Sequence, residues 1–153
     1  MFICTGNICR SAMAHKLMEK KVKDNNLKDI QIYSCGVYAI DGDMPTYNAE
    51  AVMEEYEVDI KSHKATNIRN SKIEEMDLIL CATVSHKNSV VQMYPHLKEK
   101  IYTIKEYIRE NGNNENKEDI DIQDPWGYDI EVYRFCASQI DMCLEKLIEK
   151  IKV

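Results

Sequence analysis

Cys4-Thr5-Gly6-Asn7-Ile8-Cys9-Arg10-Ser11 decides how the chain is read. It follows a short apolar run, Met1-Phe2-Ile3, and precedes a helical pattern of Ala12, Met13, Ala14, Leu17 and Met18. A strand, a tight loop and a helix N-terminus therefore meet in one place. The first turn of a helix carries unpaired N–H groups and the positive end of its dipole, so it receives an anion well. Gly6 is expected to let the backbone curl until successive N–H groups face inward. The same donors favour Cys4 as a thiolate nucleophile. A closed loop would aim the planar fork of Arg10 at two phosphate oxygens. Ser11 has a hydroxyl to give the thiolate, which makes it a better leaving group later. The candidate phosphate-binding residues are Thr5, Gly6, Asn7, Ile8, Cys9, Arg10 and Ser11, with Cys4 attacking phosphorus. A bare Cys-to-Arg spacing is weak evidence; Gly6, Asn7, Ser11 and the strand-loop-helix setting make it specific.

The 153 residues suit one domain, 1–153, with a single core. A net charge of -6 leaves no basic footprint, so nucleic acid is not an expected partner. No apolar run approaches about 18 residues and no signal peptide is evident, so no membrane is expected and the setting reads as cytoplasmic. The six cysteines read as free thiols in a reducing compartment rather than as a disulfide framework. No Cys-x-x-Cys pair or His-rich cluster calls for a metal, and no cofactor is implied.

Along the chain, a helix is expected from Ser11 to Asp24 and a second strand at Ile30–Ser34. Gly36, Asp41-Gly42-Asp43 and Pro45 mark a loop. Thr46 or Asn48 would cap a helix carrying Ala49, Val52, Met53 and Tyr56. Asp77–Ala82 reads as a buried parallel strand, Ser85–Tyr94 as a helix, Ile101–Ile104 as a fourth strand and Lys105–Arg109 as a short helical piece. Glu110–Asp119 reads as an exposed polar loop. Tyr133, Cys136, Ile140, Leu144, Leu147 and Ile151 form one apolar stripe on a last helix. Alternation of this kind predicts an α/β three-layer sandwich around a four-stranded parallel sheet. Ligands bind such sheets outside the carboxyl ends of the strands, where the Cys4 loop leaves the first strand.

Displacing a phosphate ester requires an acid for the leaving oxygen. Asp124 in Asp124-Pro125-Trp126 is the candidate, with Asp119, Asp121 and Asp129 as neighbouring rivals. Pro125 stiffens the chain and Trp126 offers a flat wall to an aromatic substrate. Ile8, Trp126 and Tyr128 are the candidate pocket residues.

Together, the N-terminal loop and Asp124-Pro125 with its following aromatic resemble the low-molecular-weight protein tyrosine phosphatases. The likeness extends over nearly the whole chain through Ser34-Cys35-Gly36, Pro45, Ala49, His63 and Asp77-Leu78-Ile79-Leu80. It implies a flavodoxin-like strand order and a two-step, metal-free hydrolysis of phosphorylated protein substrates, with phosphate or other oxyanions binding in the loop. Cys4 would be the nucleophile, Arg10 the phosphate clamp, and Asp124 the acid and then the base. Asn7, Ser11, Ser34 and His63 match the network that holds the loop in shape. Cys9 stands where the family has a second loop cysteine, which suggests that oxidised Cys4 is trapped as a Cys4–Cys9 disulfide; recovery with dithiothreitol that survived Cys9→Ala would refute this.

Only three residues precede Cys4, fewer than is usual in the family. Ala12 and His15 replace a common proline and glutamate, which should weaken helix initiation slightly. Ala82 stands where Met is frequent. Thr103-Ile104-Lys105-Glu106-Tyr107 and Trp126-Gly127 resemble a branch acting on phosphoarginine. That branch carries Thr at the place of Ile8, an apolar wall suited to a flat ring. Phosphotyrosine is therefore the leading substrate and phosphoarginine the alternative. An arsenate reductase is disfavoured because its third cysteine position is Asn88. A phosphoprotein-binding module is disfavoured because binding alone needs no acid.

Overall fold

The computed structural model describes residues 1–109 and 119–152. All of the expected polar loop except Asp119 lies outside them. Four short strands, β1 (Phe2–Cys4), β2 (Ser34–Gly36), β3 (Ile79–Cys81) and β4 (Ile101–Thr103), pair in parallel in the order β2-β1-β3-β4. This is the flavodoxin-like order. Among the described residues, five α-helices connect and cover them: α1 (Arg10–Asp24), α2 (Tyr47–Glu55), α3 (Val84–Met93), α4 (Ile104–Ile108) and α5 (Ile130–Ile151).

Successive strand residues point to opposite faces, and this divides the core. Phe2, Cys4 and Leu80 join the cluster built by α1, α2 and α5. Ile3, Cys35, Ile79 and Cys81 join Val90 of α3 and two 3₁₀ turns through Ile68 and Ile73 on the other side. The expected stripe on α5 is the inner face of that helix: Tyr133, Cys136, Ile140, Leu144 and Leu147 are buried. Local chemistry sets the helix starts. Thr46, Thr83 and Asp129 cap α2, α3 and α5 by accepting the N–H of Ala49, His86 and Val132. Thr103 and Glu106 form a capping box on α4.

The second strand departs from expectation. Ile30–Tyr33 alternates as a strand should, yet pairing begins only at Ser34, opposite Phe2. Residues before Tyr33 lie past the end of the β1 ladder, and Asp29 is left-handed with φ 64°. Ile30 and Ile32 keep the extended side-chain pattern, packing half-buried against the α1–α5 cluster without joining the sheet. A cleft of about 680 Å³ opens there, among Met1, Ile32, Tyr33, Leu78 and Ile151. It holds no cysteine or arginine and lies at the amino ends of the strands, away from the Cys4 loop.

Candidate active site

Cys4 is the last residue of β1, and Arg10 is the first of α1. Residues 5–9 turn between them at the carboxyl edge of the sheet. No side chain caps α1 and no acidic residue occupies its first turn, which leaves its first N–H groups and positive dipole end to an anion.

The loop is held from inside by Asn7, which is fully buried. Its Nδ2 donates to Ser11 Oγ at 2.8 Å and to Ser34 Oγ at 3.0 Å. Its Oδ1 accepts the Thr66 N–H at 3.0 Å, and its carbonyl accepts His63 Nε2–H at 2.8 Å. Because Asn7 donates to Ser11, the Ser11 hydroxyl proton is left for Cys4 Sγ at 2.9 Å, closer than the Cys35 carbonyl at 3.5 Å. All four residues expected to support the loop are thus brought together. The turn itself corrects the sequence reading. Asn7, not Gly6, takes the left-handed conformation, with φ 57°. Asn tolerates that region because its short polar side chain hydrogen-bonds locally. A Cβ on Gly6 would meet only Ile8, at 3.5 Å.

The glycine the loop depends on is Gly36, at the end of β2. A Cβ there would stand 2.4 Å from the Thr5 carbonyl oxygen and 2.9 Å from the Asn7 nitrogen, both backbone atoms. Gly36→Ala should therefore push the loop off the sheet. We expect a loss of about 1–3 kcal/mol in urea unfolding and weaker inhibition by phosphate. Wild-type values for both would show that the loop shifts without cost.

Arg10 is 5% exposed. Its Nη1 donates to the Ile122 carbonyl at 2.9 Å, and its Nη2 lies 3.5 Å from Asp124 Oδ2. Its Nε is buried with no partner among the described residues. A buried unpaired donor costs about 1–3 kcal/mol, so an arriving oxyanion gains from meeting it. The rival carboxylates are committed elsewhere. Asp121 accepts the Val84 N–H at the start of α3 (2.8 Å), Asp129 caps α5 (3.2 Å), and Asp119 pairs with Lys105 (3.2 Å). Of the four, Asp124 is the one beside Arg10. Trp126 and Tyr128 follow it on a turn closed by Trp126 N–H to Asp124 Oδ1 and Tyr128 N–H to the Pro125 carbonyl. Both side chains are more than half exposed. Ile8 is half-buried.

The sequence reading missed several residues. The stretch from Gly36 to Pro45, read as a plain loop, and the cap residue Thr46 after it are tied to the phosphate loop by Val37 N–H to Cys4 O, Tyr38 N–H to Thr5 O and Thr46 N–H to Ile8 O. The stretch presents Tyr38, Ile40 and Met44 to solvent, with Tyr47 just beyond, an apolar signal in a Gly/Pro/Asp-rich segment that was there to be noticed. His15 does more than replace a glutamate. Its Nδ1 accepts the Ser34 hydroxyl at 2.7 Å and its Nε2–H donates to Glu19 at 3.0 Å. His86 meets Thr5 of the loop at 2.8 Å.

Burial pushes His15 and His86 each down to about 4, and lowers His63. The opposing charges at His15 (Glu19 against Lys16 and His63) and at His86 (Arg10 against Asp124 and Asp121) are smaller effects. The folded chain holds these rings neutral, whereas the unfolded chain takes protons below about 6.5. Stability therefore rises with pH across this window and is lost as pH falls from about 6.5 towards 4. The urea midpoint should be lower at pH 5 than at pH 7, and less so in His15→Gln. Equal midpoints would contradict it.

The remaining cysteines are poor nucleophiles. Burial pushes Cys35 and Cys136 up to about 12 and raises Cys9, Cys81 and Cys143. Cys9 Sγ lies 3.4 Å from the Tyr133 hydroxyl and 3.5 Å from Thr46 Oγ1.

Known proteins resemble this chain over nearly its whole length. A family model described as low molecular weight phosphotyrosine protein phosphatase matches residues 1–153. A low molecular weight protein tyrosine phosphatase from T. tengcongensis is 39% identical and superposes with a TM-score of 0.86, covering 97% of this chain and 96% of that one. The YwlE arginine phosphatase from Geobacillus stearothermophilus is 32% identical with a TM-score of 0.86, covering 99% of this chain and 90% of that one. The low molecular weight protein-tyrosine-phosphatase PtpB of Staphylococcus haemolyticus is 32% identical over 95% of this chain and 94% of its own length.

Proposed function

The chain belongs to the low molecular weight phosphotyrosine protein phosphatase family, and from that premise we propose that it hydrolyses phosphotyrosine in proteins through a phosphocysteine on Cys4. The observation that carries this reading is Cys4 Sγ, 2.9 Å from Ser11 Oγ, on the loop whose Arg10 lies 3.5 Å from Asp124. The loop N–H groups and Arg10 take the non-bridging phosphoryl oxygens and hold phosphorus in line with sulfur. The Cys4 thiolate forms the S–P bond as the P–O bond to the tyrosyl oxygen breaks. Asp124 gives that oxygen its proton. Asp124, now a carboxylate, takes a proton from water, whose oxygen attacks phosphorus. Sulfur leaves as the thiolate, accepting the Ser11 hydroxyl, and phosphate is released. Trp126, Tyr128 and Ile8 wall the ring of the substrate.

A second reading, phosphoarginine as substrate, is favoured by the 32% identity to an arginine phosphatase over 99% of this chain. Ile8 inclines the choice to tyrosine, since an apolar wall suits a flat ring and offers a guanidinium no acceptor. No helix among the described residues is long and apolar enough to cross a membrane. We place the enzyme in the cytoplasm, acting on phosphorylated proteins, on the strength of six buried free cysteines.

The test is kcat/KM on two peptides of one sequence, one phosphotyrosyl and one phosphoarginyl, with Ile8→Thr beside the wild type. We expect the tyrosine peptide to be preferred, and the preference to move towards arginine in the variant. An arginine preference in the wild type would replace the leading reading with the second.

A further inference from the structure

Thr5 is the second residue of the phosphate loop, and its side chain is tied to a helix from the far half of the chain. Its Oγ1 lies 2.8 Å from Nε2 of His86, whose Nδ1 lies 2.9 Å from Thr83 Oγ1. Thr83 Oγ1 also accepts the backbone N–H of His86 at 3.1 Å, as the cap of α3. His86 is only 6% exposed, while Thr5 is exposed.

The direction of the bonds depends on the tautomer of His86. The cap leaves the Thr83 hydroxyl proton free, and when that proton goes to Nδ1 the ring proton sits on Nε2. Nε2–H then donates to Thr5 Oγ1, and the Thr5 hydroxyl proton is turned away from His86. We propose that the Thr83–His86–Thr5 relay fixes the Thr5 hydroxyl as an additional donor to a phosphoryl group bound in the loop, with His86 as the positioning residue. Burial and the nearby Arg10 charge keep the ring neutral at pH 7, so it acts as an oriented donor and adds no charge to the site. Held in this way, the Thr5 proton needs no reorientation when the phosphoryl group arrives.

This rests on the Cys4 loop being the phosphate site. That reading fails separately, if inorganic phosphate does not inhibit the wild type. The relay is tested by the inhibition constant of inorganic phosphate in Thr5→Val, His86→Leu and the double variant. We expect Thr5→Val to weaken phosphate by about tenfold, the worth of one hydrogen bond. His86→Leu should approach that value, and the double variant should be no worse than Thr5→Val alone. His86→Gln, whose amide reaches the position of Nε2, should recover to within about threefold of wild type, whereas His86→Asn, one methylene shorter, should not. This Gln and Asn pair carries the test if the Leu variant does not fold. An unchanged inhibition constant in Thr5→Val, additive losses in the double variant, or equal losses in Gln and Asn would each overturn the proposal.

Discussion

Cys4→Ser is expected to abolish turnover, lowering kcat by more than about 10⁴-fold, while phosphate still binds. The two halves of this outcome have separate causes. Turnover depends on an S–P bond, and a serine hydroxyl in the same place is a far weaker nucleophile with no base beside it. Cys4 Sγ meets Ser11, whose hydroxyl already accepts from Asn7 and donates to Sγ at 2.9 Å, so it stabilises an anion and takes no proton. Binding depends on groups the substitution leaves alone: the uncapped start of α1 and the guanidinium of Arg10 with its unpaired Nε. Isothermal titration with inorganic phosphate should give an affinity within about tenfold of wild type, since at most about one hydrogen bond changes. Retained turnover would remove the covalent mechanism. Lost turnover with lost phosphate binding would mean that the thiolate also holds the loop open.

The phosphate loop and the last helix were legible because their signals are local. Cys4 to Ser11 is contiguous, and the stripe on α5 repeats along a single element. Strand β2 was not, because pairing is a property of two segments: Ile30–Tyr33 has the alternation of a strand but no β1 residue opposite. The hinge of the loop was assigned to Gly6 on the usual preference of glycine. Asn7 takes it because three of its bonds, to Ser11, Ser34 and Thr66, stabilise a conformation glycine would only permit. His86 escaped notice because 81 residues separate it from Thr5, and no spacing rule reaches that far. Asp124 was singled out by Pro125 and Trp126 beside it, but three more aspartates lie close by before α5, and these rivals could be set aside only once Asp129 was seen to cap α5 and Asp121 to accept the Val84 N–H.

That distinction makes Asp124→Ala the second large effect. The rate on substrates with poor leaving groups should fall by about 10²–10⁴-fold, the usual contribution of general acid catalysis. Nitrophenyl phosphate should lose less, because its phenolate departs without a proton. Asp124 is half exposed and lies at 3.5 Å from Arg10, so its removal opens no cavity but takes the carboxylate from a buried guanidinium, which keeps its bond to the Ile122 carbonyl. The neighbouring aspartates provide the contrast. Asp129→Ala removes the cap of α5 and should cost about 1 kcal/mol of stability with kcat little changed. Asp121→Ala frees the Val84 N–H at the start of α3 and should behave in the same way. If either of these reproduced the leaving-group-dependent loss while Asp124→Ala did not, the proton would come from that residue, and the 3.5 Å approach of Asp124 to Arg10 would be no more than an ion pair.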